Sequence, residues 1–188
     1  MIESLEILKN ELDILFYGIE RDCAVCEYPD CMGYTWLLKE EVGELRELGV
    51  PLVQINSGPI FIHSFPTTQD GKIDVTVRYP TCSQLCSKSR SCKIHSKRPM
   101  VCHLYPIGLE TKLCGTIVWA LHSDCLYVSR LKDNQLFADF EKKSLQLLST
   151  ISPSLKEKIV NTYLEVDSIC TFPDGQNLFT TLAEVYHV

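Results

Sequence analysis

Four cysteines, Cys82, Cys86, Cys92 and Cys102, fall within TCSQLCSKSRSCKIHSKRPMVCHLYPI, the stretch from Thr81 to Ile107. Four more stand in the flanking chain, Cys23, Cys26 and Cys31 upstream and Cys125 downstream. Thiolates are soft donors, and a thiolate-dominated set selects zinc or an iron–sulfur cluster over hard cations. The 81–107 stretch has little helical or strand periodicity, so it offers no broad apolar face to bury, and a bound metal is the expected source of its order. Cys23-Ala-Val-Cys26 has the spacing with which a tight loop chelates one ion. A redox dithiol of the same spacing follows a strand and opens a helix. This pair instead trails a helical pattern and precedes the Pro29-Asp30 turn, which favours ligation. The expected metal ligands are Cys23, Cys26, Cys31, Cys82, Cys86, Cys92, Cys102 and Cys125, enough for one cluster with spares or for two sites of four. Cys114 and Cys170 are expected to be peripheral, Cys170 as a packing thiol.

Lys88, Arg90, Lys93, Lys97 and Arg98 surround these thiols. Cations offset the negative charge of a multi-thiolate centre and lower thiol pKa values. The plainer alternative is a solvated basic loop or a small patch for an anion or nucleic acid. Pro99 and Pro106 disfavour helical conformation at Arg98 and Tyr105, which predicts that Cys102 is presented on a stiff extended loop. His63, His122 and His187 stand singly among apolar or terminal residues and are expected in core or surface roles.

Residues 2–20 place Leu5, Leu8, Leu12, Leu15, Phe16 and Ile19 at helical spacing, predicting one amphipathic helix that delivers the chain to Cys23. A second helix is expected from Leu37 to Leu48, stopped by Gly49, with Glu40, Glu41, Glu44 and Glu47 on its solvated side. Strands are expected at Leu52–Ile55, Ile60–Phe65 and Lys72–Tyr79, the last two joined by an Asp70-Gly71 hairpin turn, and again at TIVWALH after Cys114-Gly115. Residues 133–150 and 153–169 read as helices divided at Ser152-Pro153. Pro173-Asp174-Gly175 reads as a turn before a final amphipathic segment. The expected architecture is a single α+β domain over 1–188: a small antiparallel sheet, cysteine-rich metal-binding loops, flanking helices and a helical C-terminal part from 128.

The chain has 188 residues, 45% hydrophobic, with a formal net charge of -6 and a mean hydropathy of +0.02. This is ordinary globular composition, and the acidic balance argues against a broad nucleic-acid footprint. Apolar runs are too short to cross a bilayer, and MIESLEILKNELDILF lacks the basic start and unbroken apolar core of a signal peptide. The expected compartment is the cytoplasm, where thiols stay reduced and ten cysteines read as ligands rather than as a disulfide framework. The radical S-adenosylmethionine spacing fails because Ser89 occupies the third cysteine position. The bacterial ferredoxin run fails because Cys26 to Cys31 is too long, and a zinc ribbon fails for want of a second C-x2-C knuckle. No G-x-G-x-x-G, P-loop, G-x-S-x-G or H-E-x-x-H is present, so no catalytic or cofactor-binding side chain is assigned.

The arrangement resembles the zinc- or iron-chelating family often called YkgJ-type, whose members carry C-x2-C-x3-C-C, then C-x-x-L, then C-x-I-[YH]-x-x-R-P-x-x-C-R-x-Y-P and a later cysteine. Cys23, Cys26 and Cys31 resemble the first group, Cys82 and Leu85 the second, and Cys92, Ile94, His95, Arg98, Pro99, Cys102, Tyr105 and Pro106 the third, with Cys125 in the late position. The resemblance covers roughly residues 20–127. Three departures stand out: one extra residue before Cys31, Met32 in place of a cysteine, and His103 in place of an arginine. Cys86 or His103 could replace the missing ligand. The resemblance implies a [4Fe-4S] cluster, because the family includes flagellin lysine methylases whose cysteine-rich part is associated with one; zinc is the alternative. It leaves three functions open: electron transfer or cluster-dependent chemistry with an unidentified protein or redox partner, a zinc-stabilised interaction domain, and S-adenosylmethionine-dependent protein methyl transfer.

Overall fold

The computed structural model describes residues 1–26, 34–55, 57–64, 81–112, 114–169 and 179–187. In chain order these form α1 (Leu5–Leu15), α2 (Ile19–Val25), β1 (Trp36–Leu37), α3 (Val42–Glu47), β2 (Leu52–Gln54), β3 (Ile60–Ile62), β4 (Leu85–Cys86), β5 (Ser91–Cys92), α4 (Met100–Leu104), β6 (Ile107–Thr111), β7 (Thr116–His122), α5 (Leu126–Asp133), α6 (Phe137–Thr150), α7 (Pro153–Asp167) and β8 (Phe179–His187). Single 3-10 turns lie at Lys39–Glu41 and His95–Lys97. The class is α+β, as expected, with the described strands in three small antiparallel sheets, ordered β1-β3-β2, β4-β5 and β6-β7-β8. The expected Lys72–Tyr79 strand, the Asp70-Gly71 turn and the Pro173-Asp174-Gly175 turn lie outside the described residues. The chain divides into two compact units, each built from separated stretches of sequence.

One unit comprises Met1–Cys23, His103–Glu157 and Gly175–Val188. The leucine stripe of α1 does what its spacing predicts: Leu8 and Leu12 are fully buried and Phe16 nearly so. Burying each such side chain contributes about 1.5–3 kcal/mol. The Phe16 and Phe140 rings lie 6.0 Å apart, and Phe140 meets Tyr127 edge-on at the same distance. The single helix expected over 2–20 is broken, because Gly18 adopts φ +87 and separates α1 from α2. Only glycine enters that region without a steric penalty. Thr116 to Leu121 of β7 are all buried, and the strand is paired on both edges, Trp119 with Leu109 of β6 and with Ala183 of β8. The helix expected from 133 begins at Phe137, and α5 precedes it. The break falls at Gln135, whose φ of +60 lets Leu136 N–H reach Leu131 C=O (2.9 Å) and Gln135 N–H reach Lys132 C=O (3.1 Å), closing α5. The final amphipathic segment is the strand β8.

The other unit comprises Ala24–Cys102 and Lys158–Asp174. Its apolar cluster consists of Leu37, Val42, Leu45, Val50, Ile62 and Cys82, with Leu52, Ile60 and Ile94 packed against it. The helix expected over Leu37–Leu48 is shorter than its pattern: Leu37 belongs to β1, Leu38 is extended (ψ 148), and α3 starts at Val42. The stop at Gly49 is as expected. Its φ of +71 lets Val50 N–H bond Leu45 C=O (3.0 Å) and Gly49 N–H bond Arg46 C=O (2.9 Å). Among the described residues, no helix is long and apolar enough to cross a membrane.

Candidate metal centre

The densest part of the candidate site is the β4-β5 hairpin. Leu85 pairs with Cys92 and Cys86 with Ser91, and Arg90 N–H closes the turn on Cys86 C=O at 2.7 Å. Side chains alternate along a strand, so Leu85 and Cys92 share one face while Cys86 and Ser91 share the other. Cys82, 7% exposed, lies in the apolar cluster, and burial pushes its thiol up. Neighbouring Cys92 adds to that rise, against hydrogen bonds from the Gln84 and Leu85 amides and the Thr35 hydroxyl. Cys82 and Cys92 are therefore close enough to feel each other's charge.

Cys86 has the opposite environment. The Ser89 hydroxyl, then the Ser89 and Lys88 amides, hold its thiol down to about 7, and the Lys93 ammonium adds to the effect. Ser89 Oγ also lies 2.6 Å from Ser91 Oγ, on the face that Cys86 shares. The stretch thus carries one buried thiol, Cys82, whose ionisation is opposed, and one half-buried thiol, Cys86, that ionises easily.

Four of the basic residues around these thiols, Arg90, Lys93, Lys97 and Arg98, bond other partners. Arg90, left-handed at φ +52, donates from Nη2 to the carbonyl of Cys26 and so ties the hairpin to the chain just after α2. Lys97 Nζ is 2.6 Å from Glu44 Oε1, and Arg98 Nη1 is 2.7 Å from His95 Nε2. Lys93 Nζ donates to Ser83 C=O at 3.1 Å.

The remaining candidates are distributed as follows. Cys26 is half-buried directly after α2, and Cys23 is half-buried within that helix rather than in a loop beyond it. Cys102 corrects its expectation: it lies within α4, not on an extended loop. Arg98 is extended as Pro99 requires (ψ 150), but Pro99 then occupies the start of a helical turn, accepting from Cys102 N–H at 3.0 Å. Cys125, 3% exposed, stands at the residue before α5 in the unit that also holds Cys23. Near it on α5, Arg130 makes a two-point ion pair with Asp22 of α2, at 3.0 and 2.7 Å. Cys114 is exposed at the turn before β7, where the Thr116 hydroxyl pulls its thiol down. Cys31, Met32 and Cys170 lie outside the described residues. None of the eight described cysteines is in a disulfide.

His103 is 5% exposed, with Nδ1 2.7 Å from Asp13 Oδ1. A carboxylate on one ring nitrogen fixes the imidazole's orientation, as it does for many ligating histidines. His122 packs its ring between Tyr105 (5.2 Å) and Phe179 (4.4 Å), and burial pushes it down to about 4.

One residue that sequence reasoning misplaced is Glu41. Glu40, Glu44 and Glu47 are exposed as expected, but Glu41 is 5% exposed. Its Oε2 accepts from Leu38 N–H (2.9 Å) and its Oε1 from Met100 N–H (2.7 Å), at the start of the helix that carries Cys102. The signal was present: Glu41 is three residues after Leu38 and four before Leu45, inside the apolar stripe, at the reach-back position of a helix start.

The donor set tests the fit of a metal. Five candidate thiols, Cys26, Cys82, Cys86, Cys92 and Cys102, belong to one compact unit, and their chemistry suits zinc or an iron–sulfur cluster. Among the described residues, no three His, Cys, Asp or Glu side chains stand together as a group that could hold a metal ion. No family model, no curated protein and no solved structure matches this chain.

Proposed function

We propose that the chain is a metal-binding protein that holds an iron–sulfur cluster through its cysteine thiolates and uses it in electron transfer or cluster-dependent chemistry. The observation that carries the reading is Cys82, whose carbonyl accepts from Leu85 N–H at 3.0 Å, at the foot of a hairpin that pairs Leu85 with Cys92 and is tied through Arg90 to the chain at Cys26. Cys102 follows in the same unit, and the resemblance of Cys92 to Pro106 to the chelating family favours iron–sulfur. Bound, such a cluster would supply one-electron chemistry. The chain's own contribution is a mostly apolar wall around Cys82 and a stiff hairpin that carries Cys92.

A structural zinc is the second reading. It is favoured by the position of Cys82 within the apolar cluster of Leu37, Val42, Leu45, Val50 and Ile62, which a metal would close from one side. Anaerobic purification separates the two. A brown protein with iron matched by acid-labile sulfide supports the cluster, a colourless protein with stoichiometric zinc moves the assignment to zinc, and a protein with neither overturns both. Cys92→Ser and Cys102→Ser should each lose metal, whereas Cys170→Ser should keep it. Calorimetric binding of S-adenosylmethionine would add methyl transfer to the reading.

A further inference from the structure

Glu41 is a buried carboxylate whose two oxygens each take one backbone N–H, from residues 62 positions apart. Met100, which supplies one of them, is fully buried, and Pro99 before it has no N–H to give. α4 is five residues long, too short to fix its own orientation by internal hydrogen bonds. Beside this clamp, Lys97 and Glu44 join the same two segments at the surface. Surface pairs of that kind contribute little, whereas a carboxylate held by two buried amides is a strong, directional contact.

We infer that Glu41 is the positioning residue for Cys102: by gripping the Met100 amide it sets the place and direction of α4, and with them the Cys102 sulfur two residues further on. The inference rests on the proposed role of Cys102 as a metal ligand. Gln at position 41 would keep one acceptor oxygen but turn an NH2 group towards the second amide, so one end of the clamp would open.

The test compares wild-type protein with Glu41→Gln, and with Glu44→Gln as a control that makes the same chemical change at the exposed Lys97 pair without touching the clamp. Co2+ is titrated into metal-free protein while the thiolate-to-cobalt charge-transfer band is followed. Separately, the alkylation rate of each cysteine is read by peptide mass spectrometry. E41Q should weaken Co2+ binding at least about tenfold, lower the band intensity by the share of one thiolate, and alkylate Cys102 several-fold faster while leaving Cys86 unchanged. Glu44→Gln should leave the band and the Cys102 rate as in wild type. An E41Q protein with wild-type band and Cys102 rate overturns the inference. A wild-type protein that binds no metal overturns the proposed function instead, and the alkylation arm still decides the role of Glu41. Should E41Q not fold, hydrogen exchange of the wild-type Met100 amide decides: slow exchange supports the clamp, and exchange as fast as an exposed turn overturns it.

Discussion

His122 stands against Phe179 with ring centroids 4.4 Å apart, so the last strand of one sheet covers a titratable ring on its neighbour. Burial pushes this imidazole down to about 4, only partly opposed by the charge of Asp124. A histidine depressed in the folded state binds its proton more readily when unfolded. Its contribution is therefore full above the unfolded value near 6.5 and is lost as pH falls from there towards 4. The loss should be on the order of 2–3 kcal/mol for this partly buried ring. Urea midpoints measured between pH 7.5 and 4 should fall for wild type, and much less for His122→Phe. Parallel declines would show that other groups dominate.

Asp13 holds the buried His103 ring at 2.7 Å. Asp13→Ala removes a charge-assisted hydrogen bond from a side chain that is 5% exposed, and should lower stability by about 1.5–3 kcal/mol. Asp13→Asn should lose less, because the amide oxygen can still accept. Chemical denaturation of the three proteins ranks them.

Cys86 and Cys82 should differ sharply in reactivity. In metal-free protein the alkylation rate of Cys86 should rise with a midpoint near pH 7, while Cys82, buried and pushed up, reacts slowly across the range. Ser89→Ala should move the Cys86 midpoint upward, since the Ser89 hydroxyl is the main cause of its depression. Rates for individual peptides read this directly, and an unmoved midpoint would assign the effect to the turn amides.

Gly49 isolates a pure backbone effect. A Cβ at this position would meet nothing within 4 Å, so the whole penalty of Gly49→Ala comes from φ +71. Stability should fall by about 1 kcal/mol. Gly49→Asn should fall less, because asparagine tolerates this region better. Equal losses would point to a packing change instead.

What the sequence discloses depends on how many residues carry each signal. The stripe of α1, the strand TIVWALH and the stop at Gly49 each rest on repeated or strongly constrained positions, and each stands where expected. The strands β4 and β5 have two residues each and α4 has five, too few for any period to register, so the Cys82–Cys102 stretch reads as irregular although it is not. Gly18 is a single interruption in a long leucine pattern, and pattern matching passes over it. Glu41 looks like its neighbours Glu40 and Glu44 by composition; only its place in the turn before α3, in line with Leu38 and Leu45, separates a buried clamp from a solvated charge. Among the candidate thiols, spacing nominated the residues, while strand pairing decided which of them share a face.

The arrangement of β7 between β6 and β8 sets an order of events during synthesis. β6 can pair with β7 as soon as both leave the ribosome, but β8 emerges only after α5, α6 and α7. Until then an open edge bearing Ile117, Val118, Trp119 and Leu121 is available to any other extended chain. Nascent molecules halted before Phe179 are thus the ones most prone to self-associate, and chaperone occupancy should peak over that interval.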